Sequence, residues 1–270
     1  MRLGISSWAL AWNIGVPGHH PTKRLDAHGL LDFAAEHNVA VVQIADNLPL
    51  QALSDPQLLA VRDHARQLQL SLEVGTRGIA PAHRSRLLEI CRVLASPILR
   101  IVIDSANHEP AADEIIESFR RARPEFEAAG VRPAIENHDR FDSKTFAQMI
   151  ESIGPEYAGI CLDTVNSFGA LEGPDIVIRT LAPYTINLHV KDFVVRRHPS
   201  LMGFEIVGAP AGRGRLDIPA LLSTIQQHNP ACTAVLEQWP PPQSEPDATA
   251  AMEREWAVES IAYLRKAIGE

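Results

Sequence analysis

Four residues of types that bind metal ions occur at four successive apolar stretches of the sequence. Glu136 closes the stretch "RPAIE", Asp163 follows "GICL", His189 lies in "TINLHV" and Glu237 closes "TAVLE". Three carboxylates and one imidazole supply mainly oxygen donors. This set suits Mn²⁺ or Mg²⁺, also accommodates Co²⁺ or Fe²⁺, and differs from a closed structural zinc site. Each residue alone has an ordinary explanation, such as a salt bridge or a turn, but their recurrence at four strand ends predicts a divalent-metal site.

Such a site suits chemistry at a carbon beside a carbonyl group. A metal that chelates neighbouring carbonyl and hydroxyl oxygens acidifies the carbon between them and stabilises the resulting enediolate. Lys191 lies two positions after His189, so the alternation of a strand points both side chains to the same side. Lys191 is therefore a catalytic candidate that could hold a substrate carboxylate or stabilise developing negative charge. A salt bridge to a nearby carboxylate, such as that of Asp192, explains it equally well.

Five further residues are candidates for substrate binding. Arg196 and Arg215 lie in the segment after the "TINLHV" stretch and could contact an anionic substrate, although solvated loop arginines are common. Asn137 and His138 follow the fifth apolar stretch and could reach substrate hydroxyl groups. A structural role is as plausible for His138. Trp12 is placed to form an apolar wall of a sugar pocket, although such aromatics often simply pack.

Positioning these residues together requires a particular fold. Short apolar runs alternate with longer amphipathic stretches along the chain, and the runs have the continuous character of strands buried on both faces. Eight strand–helix units in 270 residues predict one (β/α)₈ TIM barrel, a single domain over residues 1–270. A doubly wound sheet is disfavoured because no G-x-G-x-x-G follows the first strand. The predicted strands are residues 3–6, 40–45, 71–74, 98–103, 132–136, 159–162, 185–190 and 233–237.

The composition restricts the partners. The formal net charge is −8, with 25 Lys and Arg against 33 Asp and Glu, which disfavours nucleic acid and anionic membranes. Three widely spaced cysteines do not indicate a disulfide framework. No apolar run approaches the length of a membrane span, so we expect a cytoplasmic protein with a small-molecule partner. A homo-oligomer is compatible with the sequence, which offers no surface argument for one.

At these residues the chain resembles the xylose isomerase-like TIM-barrel superfamily of sugar isomerases and epimerases. The segments that carry the resemblance are "AIENHDRF", "GICLDTVNSFGALEG", "NLHVKDF", "GRGRLDIPALL" and "AVLEQW". The resemblance implies that Glu136, Asp163, His189 and Glu237 bind the metal. It also implies that the two glutamates form an acid/base pair on opposite faces of the substrate, as in the ketose 3-epimerases. The apurinic endonuclease branch has an additional histidine ligand where this chain has Asn166, so DNA repair is disfavoured.

The sequence thus supports two enzymatic functions. The first is a metal-dependent isomerase or epimerase that acts on a small keto-sugar or sugar acid through a metal-bound enediolate. The alternative is a lyase that decarboxylates a 3-oxo sugar acid through the same enediolate, with Lys191, Arg196 and Arg215 to hold the carboxylate. A non-catalytic binding protein is the third reading, and the four ligand-type residues speak against it.

Overall fold

The apolar runs of the sequence form a closed parallel barrel. The structure, a computed structural model, describes residues 1–269. Within them the barrel consists of eight strands in the order β1-β10-β7-β6-β5-β4-β3-β2, and β8 and β9 form a separate hairpin. The predicted (β/α)₈ fold is confirmed. The strands are β1 (Arg2–Ser6), β2 (Val41–Ile44), β3 (Ser71–Arg77), β4 (Ile98–Val102), β5 (Arg132–Glu136), β6 (Gly159–Asp163), β7 (Thr185–Val190), β8 (Asp192–Arg197), β9 (Phe204–Ala209) and β10 (Thr233–Leu236).

Helices fill the connections between the barrel strands and cover its outer face. Each carries an apolar stripe toward the barrel, as Ile115, Phe119 and Phe126 do in the fifth helix. That helix contains Pro124 and continues through it. The helices are α1 (Ala11–Ile14), α2 (Ala27–Glu36), α3 (Asp55–Gln67), α4 (Pro81–Leu94), α5 (Ala112–Ala129), α6 (Ser143–Ile153), α7 (Pro174–Leu181), α8 (Ile218–His228) and α9 (Pro246–Ile268).

The hairpin of β8 and β9 is an addition that the sequence did not predict. It begins directly after β7, with Asp192 paired to Ala209 at its base and Arg197 paired to Phe204 near its tip. The Asp192 carboxylate accepts hydrogen bonds from the backbone N–H groups of Gly212, Gly214 and Leu216. The Gly-rich segment after β9 is therefore wound around a buried carboxylate at the base of the hairpin.

Cys91, Cys161 and Cys232 are free and buried, and their burial is the one expected for small apolar residues. The helices within residues 1–269 include none that combines the length and the apolar character needed to cross a membrane.

Candidate metal centre and active site

Four adjacent strands deliver the predicted metal ligands to one end of the barrel. Glu136 ends β5, Asp163 ends β6, His189 lies near the end of β7 and Glu237 directly follows β10. These strands are neighbours in the order β10-β7-β6-β5, so the two glutamates come from the two outer strands of the set. All four side chains are almost completely buried. The carboxyl ends of barrel strands are where TIM-barrel enzymes build their active sites.

The side chains converge on Nδ1 of the imidazole. His189 Nδ1 lies 3.6 Å from Glu136 Oε2, 3.7 Å from Asp163 Oδ2 and 3.4 Å from Glu237 Oε1. One potential ligand atom each from Asp163, His189 and Glu237 lies within 4.8 Å of the others. No single hydrogen bond explains this arrangement, because one imidazole nitrogen cannot serve three carboxylates at these distances.

Two of the carboxylates have one oxygen fixed by hydrogen bonds from Asn166 or the backbone and the other turned toward the centre of the cluster. Glu136 Oε1 accepts from the Asn166 side chain at 2.8 Å, and Asp163 Oδ1 accepts from the backbone N–H groups of Val165 and Asn166 at 2.8 and 2.9 Å. Within residues 1–269, Glu237 Oε1 and His189 Nδ1 are buried without a hydrogen-bond partner, whereas Glu136 Oε2, Asp163 Oδ2 and Glu237 Oε2 face basic side chains. Buried polar atoms normally have partners, so an unpartnered oxygen and an unpartnered nitrogen 3.4 Å apart fit a bound cation.

Two basic side chains neutralise part of this negative charge. Lys191 Nζ lies 2.7 Å from Asp163 Oδ2 and 2.9 Å from Glu237 Oε2, and Arg100 of β4 forms an ion pair with Glu136. Desolvation disfavours ionisation of Glu237, but His189, Lys191 and Arg100 outweigh it and lower its pKa to about 2. Desolvation likewise opposes the charge of Lys191, but the carboxylates raise its pKa. Glu237 and Lys191 therefore stabilise each other as a pair of opposite charges.

A cavity of about 360 Å³ opens beside the cluster. Lys191 and Glu237 line one part of it, and the side chains of Trp8, Phe168 and Trp239 line another. A charged end and an aromatic wall suit a small polar molecule whose C–H faces pack on rings.

The other predicted residues lie in different surroundings. Asn137 is buried and fixes the end of β6, since its amide bonds to both the backbone N–H and C=O of Asp163. The half-buried His138 pairs with Asp139 at 2.5 Å. Arg196 is exposed on β8, and Arg215 is exposed where its backbone N–H reaches Phe193 O at 2.7 Å.

The indole of Trp12 contacts the backbone of the segment after β10 rather than the cavity. Its Nε1 donates to Pro240 O at 3.1 Å, and its ring packs edge-on against His19. Within the described residues, the lining of the 360 Å³ cavity does not include Trp12, Arg196 or Arg215. Trp8 and Trp239 provide the aromatic wall instead.

Sequence reasoning did not select Arg100 or Asn166 as site residues. Arg100 interrupts the apolar run "ILRIV" of a strand buried on both faces. A charged residue in such a run must have a partner inside the barrel, and that signal could have identified it. Asn166 stood out only by comparison with the endonucleases, yet it binds Glu136 and lies 3.5 Å from the Lys191 ammonium.

Comparison with known proteins assigns the family. The sequence profile of the xylose isomerase-like TIM barrel family matches residues 19–267. The chain belongs to this family. The chain is also 33% identical over 264 residues to the 3-oxo-isoapionate decarboxylase of Pectobacterium atrosepticum, an alignment that covers 98% of this chain and 95% of the relative.

Two solved structures share the fold. The D-psicose 3-epimerase of Clostridium cellulolyticum superimposes with a TM-score of 0.74 at 17% identity and covers 99% of both chains. A xylose isomerase-like protein from Mycobacterium smegmatis, solved in complex with magnesium, gives a TM-score of 0.69 at 14% identity, with 99% of this chain and 97% of that chain covered. At these identities the likeness establishes the architecture.

Proposed function

We propose that this protein is a metal-dependent enzyme that decarboxylates a 3-oxo sugar acid. Glu136, Asp163, His189 and Glu237 would hold a divalent cation, with Mn²⁺ or Mg²⁺ favoured by the predominance of carboxylate oxygens. When bound, the cation would act as a Lewis acid that draws electrons toward a substrate carbonyl oxygen. The 33% identical decarboxylase supports the reaction class.

The observation that carries the proposal is the ion pairing of both glutamates. Glu237 contacts the Lys191 ammonium and Glu136 contacts the Arg100 guanidinium. The Glu237 carboxylate, whose pKa of about 2 keeps it ionised, is a weak acceptor for a carbon-bound proton at neutral pH. Decarboxylation requires no such acceptor, because carbon dioxide leaves without the bonding electron pair. The site is therefore better suited to losing carbon dioxide than to removing a proton.

The reaction balances with the groups present. In a 3-oxo acid the C1–C2 bond breaks, carbon dioxide departs, and the electron pair forms a C2–C3 double bond while the C3 oxygen becomes an enolate. The Lys191 ammonium lines the cavity and stabilises this developing negative charge. Because its pKa is raised, Lys191 keeps its own proton. Water supplies the proton that C2 then accepts, and the hydroxide that remains is neutralised in the surrounding solvent. The product is a ketose one carbon shorter than the substrate.

Sugar isomerisation or epimerisation is the second candidate. One observation favours it: Glu136 and Glu237 come from the outer strands of the four, so they approach the cluster from different sides. Two carboxylates in that relation could remove a proton from one face of a substrate and return it to the other.

The test compares the two reactions in one experiment. The protein is incubated with Mn²⁺ in D₂O with 3-oxo aldonates and with keto-sugars, and carbon dioxide release and carbon-bound deuterium are both measured. Decarboxylation predicts carbon dioxide and one deuterium at C2 of the former acid. Deuterium in recovered keto-sugar without carbon dioxide establishes the second candidate and overturns the first. Lys144→Met, at an exposed position on α6, is the control variant and should retain full activity.

A further inference from the structure

A buried polar network lies inside the barrel on the far side of His189. Gln43 of β2, Glu73 of β3 and Asn187 of β7 are all at most 4% exposed. His189 Nε2 lies 2.8 Å from Gln43 Oε1. Gln43 Nε2 donates to Glu73 Oε2 and to Asn187 Oδ1, each at 3.0 Å, and Asn187 Nδ2 donates to Glu73 Oε2 at 2.9 Å.

The hydrogen bonds determine which way each group faces. Both hydrogens of the Gln43 amide are used, one by a carboxylate oxygen and one by an amide oxygen, so its own oxygen must face the imidazole. Rotating the amide would place Gln43 Oε1 against Asn187 Oδ1, two acceptors without a donor between them, because Asn187 Nδ2 already donates to Glu73 Oε2. The imidazole nitrogen that faces Gln43 must therefore carry the hydrogen. In the neutral ring this leaves Nδ1 with a free lone pair toward the three carboxylates.

We propose that Gln43, held in place by Glu73 and Asn187, is a positioning residue that fixes the His189 tautomer so that Nδ1 is available to a metal ion. This inference rests on the proposed metal site. Histidine ligands of metals commonly donate their second ring N–H to a fixed acceptor, and losing that acceptor weakens metal affinity by about 10–100-fold. Here the group that accepts the His189 N–H is the neutral amide of Gln43. The buried carboxylate of Glu73 does not contact the imidazole directly but accepts a hydrogen bond from that amide.

The test uses two variants and one control. Gln43→Met keeps the side-chain length and removes the acceptor. The double variant Gln43→Glu with Glu73→Gln exchanges the two groups, so an acceptor oxygen faces His189 again and the number of buried carboxylates is unchanged. Gln227→Met, at an exposed position on α8, is the matched control. Circular dichroism establishes that each variant is folded before metal is added.

Two readouts separate a positioning role from a general structural one. Calorimetric titration with Mn²⁺ should show about 10–100-fold weaker binding for Gln43→Met, with most of the loss recovered in the exchange variant. In Zn²⁺-loaded protein, the ¹⁵N-detected Nε2–H signal of His189 should be protected from solvent exchange in the wild type and lose that protection in Gln43→Met.

The outcomes also distinguish this inference from the metal site itself. Unchanged Mn²⁺ affinity and an unchanged Nε2–H signal in Gln43→Met would overturn the positioning role, as would a wild-type ring that carries its hydrogen on Nδ1. If the wild-type protein binds neither Mn²⁺ nor Zn²⁺, the proposed metal site fails first, and the inference fails with it. If Gln43→Met does not fold, the exchange variant must bind Mn²⁺ with close to wild-type affinity and keep the protected Nε2–H signal, and loss of that signal counts against the proposal.

Discussion

Replacing Lys191 with methionine tests the charge balance of the site directly. The ammonium lies within 2.9 Å of oxygens of both Asp163 and Glu237, and its side chain is only 15% exposed. Methionine keeps the packing of the stem and leaves two buried carboxylates without their cation. Removing one partner of a buried ion pair costs about 3–5 kcal/mol. At roughly 2–4 °C per kcal/mol for a chain of this size, the metal-free variant should melt roughly 6–20 °C below the wild type.

A divalent cation should reverse much of this loss. Mn²⁺ at 100 times its dissociation constant stabilises the folded state by about 2.7 kcal/mol, and in Lys191→Met it meets carboxylates that no ammonium neutralises. The rise in melting temperature on adding Mn²⁺ should therefore be larger for the variant than for the wild type. Carbon dioxide release should remain low in the Mn²⁺-loaded variant, because the enolate oxygen lacks the ammonium.

The measurement is thermal unfolding with and without Mn²⁺, with Lys144→Met as the control on the exposed face of α6. The control should melt like the wild type and respond to Mn²⁺ to the same extent. A Lys191→Met variant as stable as the wild type without metal would show that the ammonium does not neutralise the carboxylates. An equal Mn²⁺ response in both proteins would refute the idea that lysine and metal compensate the same charges.

Three further predictions concern single groups. The pKa of Glu237 is about 2 in the folded state and 4.5 for an ordinary glutamate. Ionised Glu237 therefore stabilises the folded state by about 3 kcal/mol above about pH 4.5, and this stabilisation is lost as the pH falls toward 2. In urea unfolding of the metal-free protein, Glu237→Gln should lack this pH-dependent part of the stability. Gly214→Ala would place a methyl group against the Asp192 carboxylate and should cost about 1–3 kcal/mol in urea unfolding, whereas Gly173→Ala, with no atom of the described chain within 4 Å of the added carbon, should cost less. Asn137→Leu releases the end of β6 and should weaken calorimetric Mn²⁺ binding by about 10-fold, and unchanged affinity would show that the backbone holds Asp163 without it.

The barrel strands could be predicted because their residues are apolar on both faces. Runs such as "VAVVQIA" and "ILRIVID" are typical of strands that are covered on both faces. The hairpin of β8 and β9 was missed because its strands are half exposed and contain arginines, glutamate and glycine, so neither the buried-strand pattern nor a clear turn signal appears. Its five exposed apolar side chains are typical of a surface segment rather than of a barrel strand: Val195, Leu201, Met202, Phe204 and Ile206.

The sequence by itself determined that four ligand-type residues would meet at one end of a barrel. Parallel strands of a closed barrel all end on the same side, so a residue at the end of each neighbouring strand must lie near the others. What it left undecided was the set of partners inside the barrel: Arg100 of the adjacent strand β4 beside Glu136, and Gln43 of the more distant strand β2 behind His189. Those contacts join residues 36 and 146 positions apart, and they depend on which side chains of two buried strands point inward at the same height. Only the closed barrel fixes that relation. A polar residue in a buried strand indicates that its side chain faces the inside of the barrel, but not which residue of another strand lies at the same height.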